Sequence, residues 1–387
     1  MRSKELHIRF VETAAEGISM KAELRPGSES YDIFFRSNDI SLTQNSEALL
    51  SVGLLPSMRS GSALVTEGTI SRRIFQSLDP ICDFYCALNP SLKRIKVKST
   101  VADPKGPPKE NRIGVFFSAG VDSFYTFLKH QEEITDLIFI HGFDIPLDND
   151  GLRRRVSEMI REIGSHFGKR VIEVETNLRS FIHPYLRWLH SHGIAFASVG
   201  NLLFPFFRRI YIPASHTYAN ATFYLLGSHP ALDPLWSTET LEFVHDGCEA
   251  TRIAKIAFLS KSDVALKCLR VCGQNIDDGF NCGRCEKCIR TKINLHIAGA
   301  LNRCAAFDSQ LDPGHIEKIS FKEMGPRLFA EENLNALKDR PGDRDLYDAL
   351  QKIFKQSWWV KVKNKYPRLG RVGWVYRTLR SLAQVLN

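Results

Sequence analysis

Apolar and polar residues alternate with a period near two in four stretches of the first hundred residues: LHIRFVE, ISMKAEL, YDIFFRS and, later, RIKVKS. Each reads as a half-buried strand, because successive strand side chains point to opposite faces. Two stretches between them, SEALLSVGLL and SRRIFQSLDPICDFYCAL, have helical spacing. This mixture predicts a small α+β domain over residues 1–105. It is closed by the linker ADPKGPPKENR, whose three prolines, glycine and solvated charges break regular structure.

Past the linker the period changes. RIGVFFS, DLIFIHGF, RVIEVET, RIYIPAS and LEFVHDG alternate with helix-length segments that start at Val121, near Gly151, across 193–207 and near Glu249. Strands that are apolar on both faces and separated by helices predict an α/β fold with a parallel sheet over residues 110–305. Ligands of such sheets bind at the carboxyl ends of the strands. His141, Asp144, Ser215, His216, His245 and Asp246 fall there, and for each a surface or capping role is the plain alternative. Residues 306–387 read as a helical C-terminal region ending in a basic tail.

Composition narrows the class. The chain is 43% hydrophobic and 25% charged, and its most apolar run, Gly193 to Phe207, holds Ser198 and Asn201 and ends in Arg208-Arg209. Such a run reads as a buried helix and predicts no transmembrane segment. The N-terminus lacks an apolar signal core, so a cytoplasmic location is expected. The net charge of +9 equals the nine Lys/Arg residues between Gln351 and the end, where no acid occurs. Five aromatic residues, Trp358, Trp359, Tyr366, Trp374 and Tyr376, interleave with these cations. Residues 351–387 therefore suit nucleic acid, an anionic membrane or docking onto protein, the last being preferred.

Two local patterns carry chemistry. The strand RIGVFFS runs into Ser118-Ala119-Gly120-Val121-Asp122-Ser123 and then a helical pattern. A glycine turn between strand and helix offers unpaired N–H groups and the positive end of the helix dipole, which suits phosphate. Ser118 and Ser123 add hydroxyls, and Asp122 implies a role in binding Mg²⁺ or in capping the helix. A simple N-cap is the plainer reading. No Gly-Lys-Ser/Thr follows, so this is not a Walker loop. The second pattern is Cys272, Cys282, Cys285 and Cys288, whose spacing suits a closed tetrahedral Zn²⁺ site within 268–290. An iron–sulfur cluster is the competing occupant. Cys268 is a reserve ligand, while Cys82, Cys86, Cys248 and Cys304 are expected to be core thiols.

SAGVDS resembles the SGGxDS loop of the PP-loop ATP-pyrophosphatases, an adenine nucleotide alpha hydrolase-like fold. Ala119 replaces the first glycine, a change the loop should tolerate. With NCGRCEKCIRTKINL downstream, residues 112–301 resemble the branch of 7-cyano-7-deazaguanine synthase (QueC) and its relatives. The resemblance implies an ATP-dependent ligase or synthase. ATP and Mg²⁺ would lie on Ser118, Ala119, Gly120, Val121, Asp122, Ser123 and Arg252, with Asp122, Ser123 and Lys255 acting in the chemistry. The expected substrate is a small carboxylate resembling 7-carboxy-7-deazaguanine, adenylated with release of pyrophosphate and coupled to ammonia or an amine. The QueC-like relatives in antiphage defence make a protein amine one such acceptor and imply a protein partner. The N-terminal domain, the tail and GSHPALDPLWSTET depart from the branch. In that segment Asp233 and Trp236 are candidates to grip a flat heterocycle, with loop packing as the equal alternative. A tRNA-modifying enzyme using the tail, or a non-catalytic nucleotide-binding scaffold, are the rival functions.

Overall fold

A computed structural model describes residues 5–11, 17–23, 30–103, 110–276, 279–319 and 323–355 of the 387. Ten strands form one sheet: β1 Glu5–Val11, β2 Gly17–Glu23, β3 Ser30–Arg36, β4 Ala63–Ser71, β5 Val97–Ala102, β6 Arg112–Phe116, β7 Asp136–His141, β8 Arg170–Thr176, β9 Phe207–Pro213 and β10 Glu242–Asp246. Their spatial order is β10-β9-β6-β7-β8-β3-β2-β1-β4-β5. Six of the nine pairings are parallel, and the antiparallel ones are β1 with β2, β2 with β3, and β3 with β8.

The apolar strands divide their side chains between two cores, as a sheet buried on both faces requires. Ile138 and Ile140 of β7 enter one core, while Leu137 and Phe139 enter the other. The first core is continuous across the molecule: Ile8, Ile33 and Phe35 share it with Ile172, Val174 and Ile210. Helix Ser46–Ser60 packs there against helix Trp188–Leu202, and Ser51 and Ser198 hydrogen-bond across the contact at 2.8 Å. The ladder between β3 and β8 is short, with Phe35 opposite Thr176 and Arg36 opposite Glu175. Asn177 reinforces it: its Oδ1 accepts from Phe34 N at 3.0 Å, and its Nδ2 donates to Asp32 O at 3.0 Å. The first hundred residues therefore extend the same sheet.

Sequence and structure differ at three elements. Strand β4 has no counterpart in the alternation pattern, β5 begins at Val97, three residues after the start of the expected RIKVKS, and the run 193–207 divides into the helix Trp188–Leu202 and the start of β9. The C-terminal helix Met324–Leu337 packs on helix Glu286–Ile297, and helix Arg344–Lys355 packs on Met324–Leu337 and Pro313–Glu317; Ile289, Ile293, Leu337, Leu346 and Leu350 share one small core there. The aromatic and nearly all the basic residues of the tail, 356–387, lie outside the described residues. No helix among the described residues is long and apolar enough to cross a membrane.

Candidate functional site

Neighbouring strands β6 and β9 lead the chain in opposite directions, β6 toward β7 and β8, and β9 toward β10. The crevice beyond their carboxyl ends is the point at which open α/β sheets bind ligands. Residues 118–123 enter it from β6, and Ser215 and His216 from β9. All of these but the buried Ala119 line one cavity of about 440 Å³, a size that suits a small organic ligand.

The turn does not use its serines or aspartate as helix caps. Gly120 occupies the N-cap of helix Val121–Lys129, with φ −82° and ψ 171°, and no side chain accepts from the first turn. Ser123 instead braces the turn from within, donating to Gly120 O at 3.1 Å and accepting from Ser118 N at 3.3 Å. The backbone N–H groups at this helix start thus have no side-chain partner.

Ala119 has φ +57° and is fully buried. The left-handed conformation costs a residue with a Cβ about 1–2 kcal/mol, a penalty that glycine escapes. Ala119→Gly is expected to unfold within about 1 kcal/mol of the parent, since relief of strain offsets loss of a buried methyl and gain of chain entropy. Ala119→Val should cost ~2 kcal/mol or more, because a β-branched side chain strongly disfavours positive φ. Urea denaturation of the two variants checks this.

Asp122 lies under two cations. Arg252 Nη2 stands 3.0 Å from Oδ2, Lys255 Nζ donates to Oδ1 at 3.1 Å, and Ser215 Oγ donates to Oδ2 at 3.3 Å. Burial works to raise this carboxyl, but the Arg252 and Lys255 charges outweigh it and hold the group below the usual range. Lys255 is 1% exposed and also donates to Ala214 O. Arg252 and Lys255 both project from helix Arg252–Leu259, which starts at Thr251 instead of near Glu249.

Further groups come from sequence far away. Two guanidinium groups approach the ring of Phe329, Arg252 at 4.6 Å and Arg290 at 4.1 Å from its centroid. His216 stacks on the same ring at 4.6 Å, and burial together with Arg252 pushes it down to about 3, so it is neutral. Burial draws Arg290 down to about 10, which leaves it charged at neutral pH. Glu332 accepts from Arg252 N at 3.2 Å and Ile253 N at 2.6 Å, closing that helix start to an outside anion. Arg270 is 4% exposed and lines the cavity; it has no carboxylate within ion-pair distance among the described residues. Phe143, Trp188 and Phe196 make an aromatic wall opposite, with centroid spacings of 4.8 Å and 5.6 Å from Phe143.

The four clustered cysteines converge. Their sulfurs lie within 4.8 Å of one another, with separations of 3.8 Å for Cys272–Cys285, 3.9 Å for Cys282–Cys288 and 3.5 Å for Cys285–Cys288. Sulfurs bound about 2.3 Å from one zinc ion stand about 3.8 Å apart at tetrahedral corners, whereas a disulfide needs about 2.05 Å. The cluster can therefore bind a metal such as zinc. Gln274 N and Cys285 N each donate to a cysteine sulfur at 3.4 Å, the kind of outer contact that orients thiolate ligands. Asn281 ties the segment together, accepting from Val271 N at 2.9 Å and donating to Leu269 O at 2.8 Å. The segment also reaches the phosphate-binding candidate: Arg270 N donates to Ala119 O at 2.8 Å.

Other expected residues divide. Asp144, Ser215, His216 and His245 line the cavity. His141 instead pairs with Glu173 of the neighbouring strand β8 at 2.7 Å. Asp246 pairs with Lys129 at 2.9 Å and His130 at 3.0 Å; burial opposes its ionisation, yet these partners pull it down to about 2. Trp236 and Asp233 are fully buried and do not line the cavity, so packing is their role, with Asp233 bonded to His245. Cys268 stands apart from the four clustered thiols. Arg270, Arg290, Phe329 and Glu332 were not foreseeable as site residues, since each is locally an ordinary helix or loop residue. Comparison with protein families, characterised proteins and solved structures returns no match for this chain.

Proposed function

We propose that the chain is a PP-loop ATP-pyrophosphatase, a QueC-like ligase that adenylates a small carboxylate and couples it to ammonia or an amine. The observation that carries this reading is the uncapped helix start at Gly120, which lies at the switch point in one cavity with Arg252, Lys255's partner Asp122 and Arg270, the last without a carboxylate partner among the described residues. Backbone N–H groups and cations converging on one turn favour a polyphosphate, and they stabilise the charge that develops on departing pyrophosphate. The aromatic wall suits a flat heterocycle. Lys255 and Arg252, held by Asp122, are the groups placed to follow the separating phosphates.

Asp122 does not fit as a Mg²⁺ ligand in this arrangement, because both of its oxygens are engaged by cations. No acidic cluster of metal-binding geometry stands among the described residues. Magnesium would enter on the triphosphate itself. Zinc, held by Cys272, Cys282, Cys285 and Cys288, would supply structure alone, since four sulfurs leave no open position.

The test is incubation of the full chain with ATP, Mg²⁺ and 7-carboxy-7-deazaguanine, with and without ammonia, followed by nucleotide analysis. AMP and pyrophosphate in equal amounts are expected. ADP would point to phosphoryl transfer, and unchanged ATP to a binding scaffold; either would overturn the proposal.

A further inference from the structure

Of the basic side chains that line the cavity, one is both buried and without a counter-charge. Arg252 is held by Asp122, Arg290 stands 3.4 Å from Glu286, and Lys287 is exposed. Arg270 is 4% exposed, and no carboxylate among the described residues lies within ion-pair distance of it. Its guanidinium makes one long hydrogen bond among those residues, from Nη2 to Asn275 Oδ1 at 3.5 Å. A guanidinium carries five N–H donors in a planar fork that matches the two oxygens of a carboxylate. Buried alone, such a charge is costly, and an anion in the cavity would supply its missing partner.

The surroundings of Arg270 differ from those of the cations at Asp122. Asn275, its hydrogen-bond partner, donates from Nδ2 to Asp144 O at 3.0 Å, which seats the pair beside the turn that carries Phe143. Phe143 belongs to the aromatic wall with Trp188 and Phe196. His192 stands in the same wall, its ring 6.2 Å from those of Trp188 and Phe196. Its Nδ1 lies 3.1 Å from Trp188 O, which can only accept, so Nδ1 is the donor. Burial lowers His192, so the ring is neutral and Nε2 is left as an acceptor. The acids of the cavity rim do not compete for Arg270: Asp144 is exposed, Glu286 pairs with Arg290, and Glu323 pairs with Arg187. We propose that Arg270 is the specificity-determining residue of this cavity, receiving the carboxylate of a flat heteroaromatic acid whose ring lies against Phe143, Trp188 and Phe196 and whose ring N–H meets His192.

The proposal deepens the reading above and rests on it in one respect, that the bound acid is the one adenylated. Arg270 N donates to Ala119 O at 2.8 Å, so the residue that takes the acid is anchored on the turn assigned to the triphosphate. The fork fixes the plane of the carboxylate and the wall fixes the plane of the ring. An amide carries no charge to offset the buried guanidinium, so the same residue that selects the acid favours release of the coupled product.

Equilibrium dialysis of the full-length, zinc-loaded chain without ATP tests the site, against pyrrole-2-carboxylate, indole-3-carboxylate, 7-carboxy-7-deazaguanine and the carboxamide of each. At least one acid should bind roughly 10–100-fold more tightly than its own amide. Arg270→Gln should abolish that preference and leave the affinity for MgATP unchanged. No acid outbinding its amide, a preference that survives Arg270→Gln, or a variant that loses MgATP affinity instead, overturns the proposal. Because the guanidinium has a single long hydrogen bond, the variant should melt no lower than the parent. A lower melting point would make Arg270 a structural cation and also overturns the proposal. Preference for the acid with no AMP formed on addition of MgATP supports the carboxylate site and retires the adenylation reading. AMP formed from the preferred acid with the same KM in Arg270→Gln keeps adenylation and overturns the assignment of Arg270.

Discussion

Asp122→Asn is expected to lower kcat for pyrophosphate formation by about 10²–10³-fold while leaving KM for ATP level or lower. The argument starts from charge. Asparagine keeps the shape and one acceptor oxygen but removes the anion that holds Arg252 and Lys255 in place. A less negative cradle attracts the triphosphate at least as well, so ground-state binding does not suffer. The cations, no longer fixed, stabilise the separating charge less well, and the loss falls on kcat. A purely structural defect would raise KM and lower kcat together. Asp122→Ala is the harsher change: Lys255, 1% exposed, would keep only a carbonyl, and an uncompensated buried charge costs about 3–5 kcal/mol. Acidity supplies a further check. Because the folded-state carboxyl lies below its unfolded value, its contribution to stability is present above the unfolded pKa and is lost only as pH falls through the folded one. Activity measured from pH 8 down to 5 should show no inflection from Asp122.

Removal of zinc should have the second large effect. Structural zinc contributes roughly 10–16 kcal/mol to the ordering of small Cys-ligated segments. One zinc per chain and no visible iron–sulfur absorbance are expected from the purified protein. Chelation, or Cys288→Ser, should open residues 272–288 to trypsin at Arg284 and Lys287 at least about tenfold faster, before the sheet unfolds. Pyrophosphate formation should fail in the same step, because Arg270, which lines the cavity and bonds Ala119 O, leads directly into Cys272. Unchanged proteolysis after complete metal loss would rule out a structural role for the ion.

The features read from sequence were those written in adjacent residues. The five strands of the parallel half, the turn at 118–123 and the four-cysteine cluster each need only a short window. Strand β4 escaped because it is irregular: its register shifts between Val65 and Thr69, and the alternation of its first four residues is broken by three exposed ones, Glu67, Gly68 and Thr69. The remaining parts of the site were hidden by distance. Phe329 and Glu332 meet Arg252 from helix Met324–Leu337, and neither their spacing nor their composition signals that meeting. The aspartate at 122 was legible as unusual. That it holds two cations, and is not open to a metal, needed the fold.

The short ladder between β3 and β8 also sets a timetable for biosynthesis. Phe34 and Asn177, which lock it, are 143 residues apart. A ribosome adding roughly 5–20 residues per second needs on the order of ten seconds to bridge that gap. Throughout that interval the nascent chain presents β3 as a bare edge with Tyr31 and Phe35 lacking their later neighbours. The first third of the protein is thus made early and finished late, and its newborn form is the stage most open to strand-to-strand mispairing.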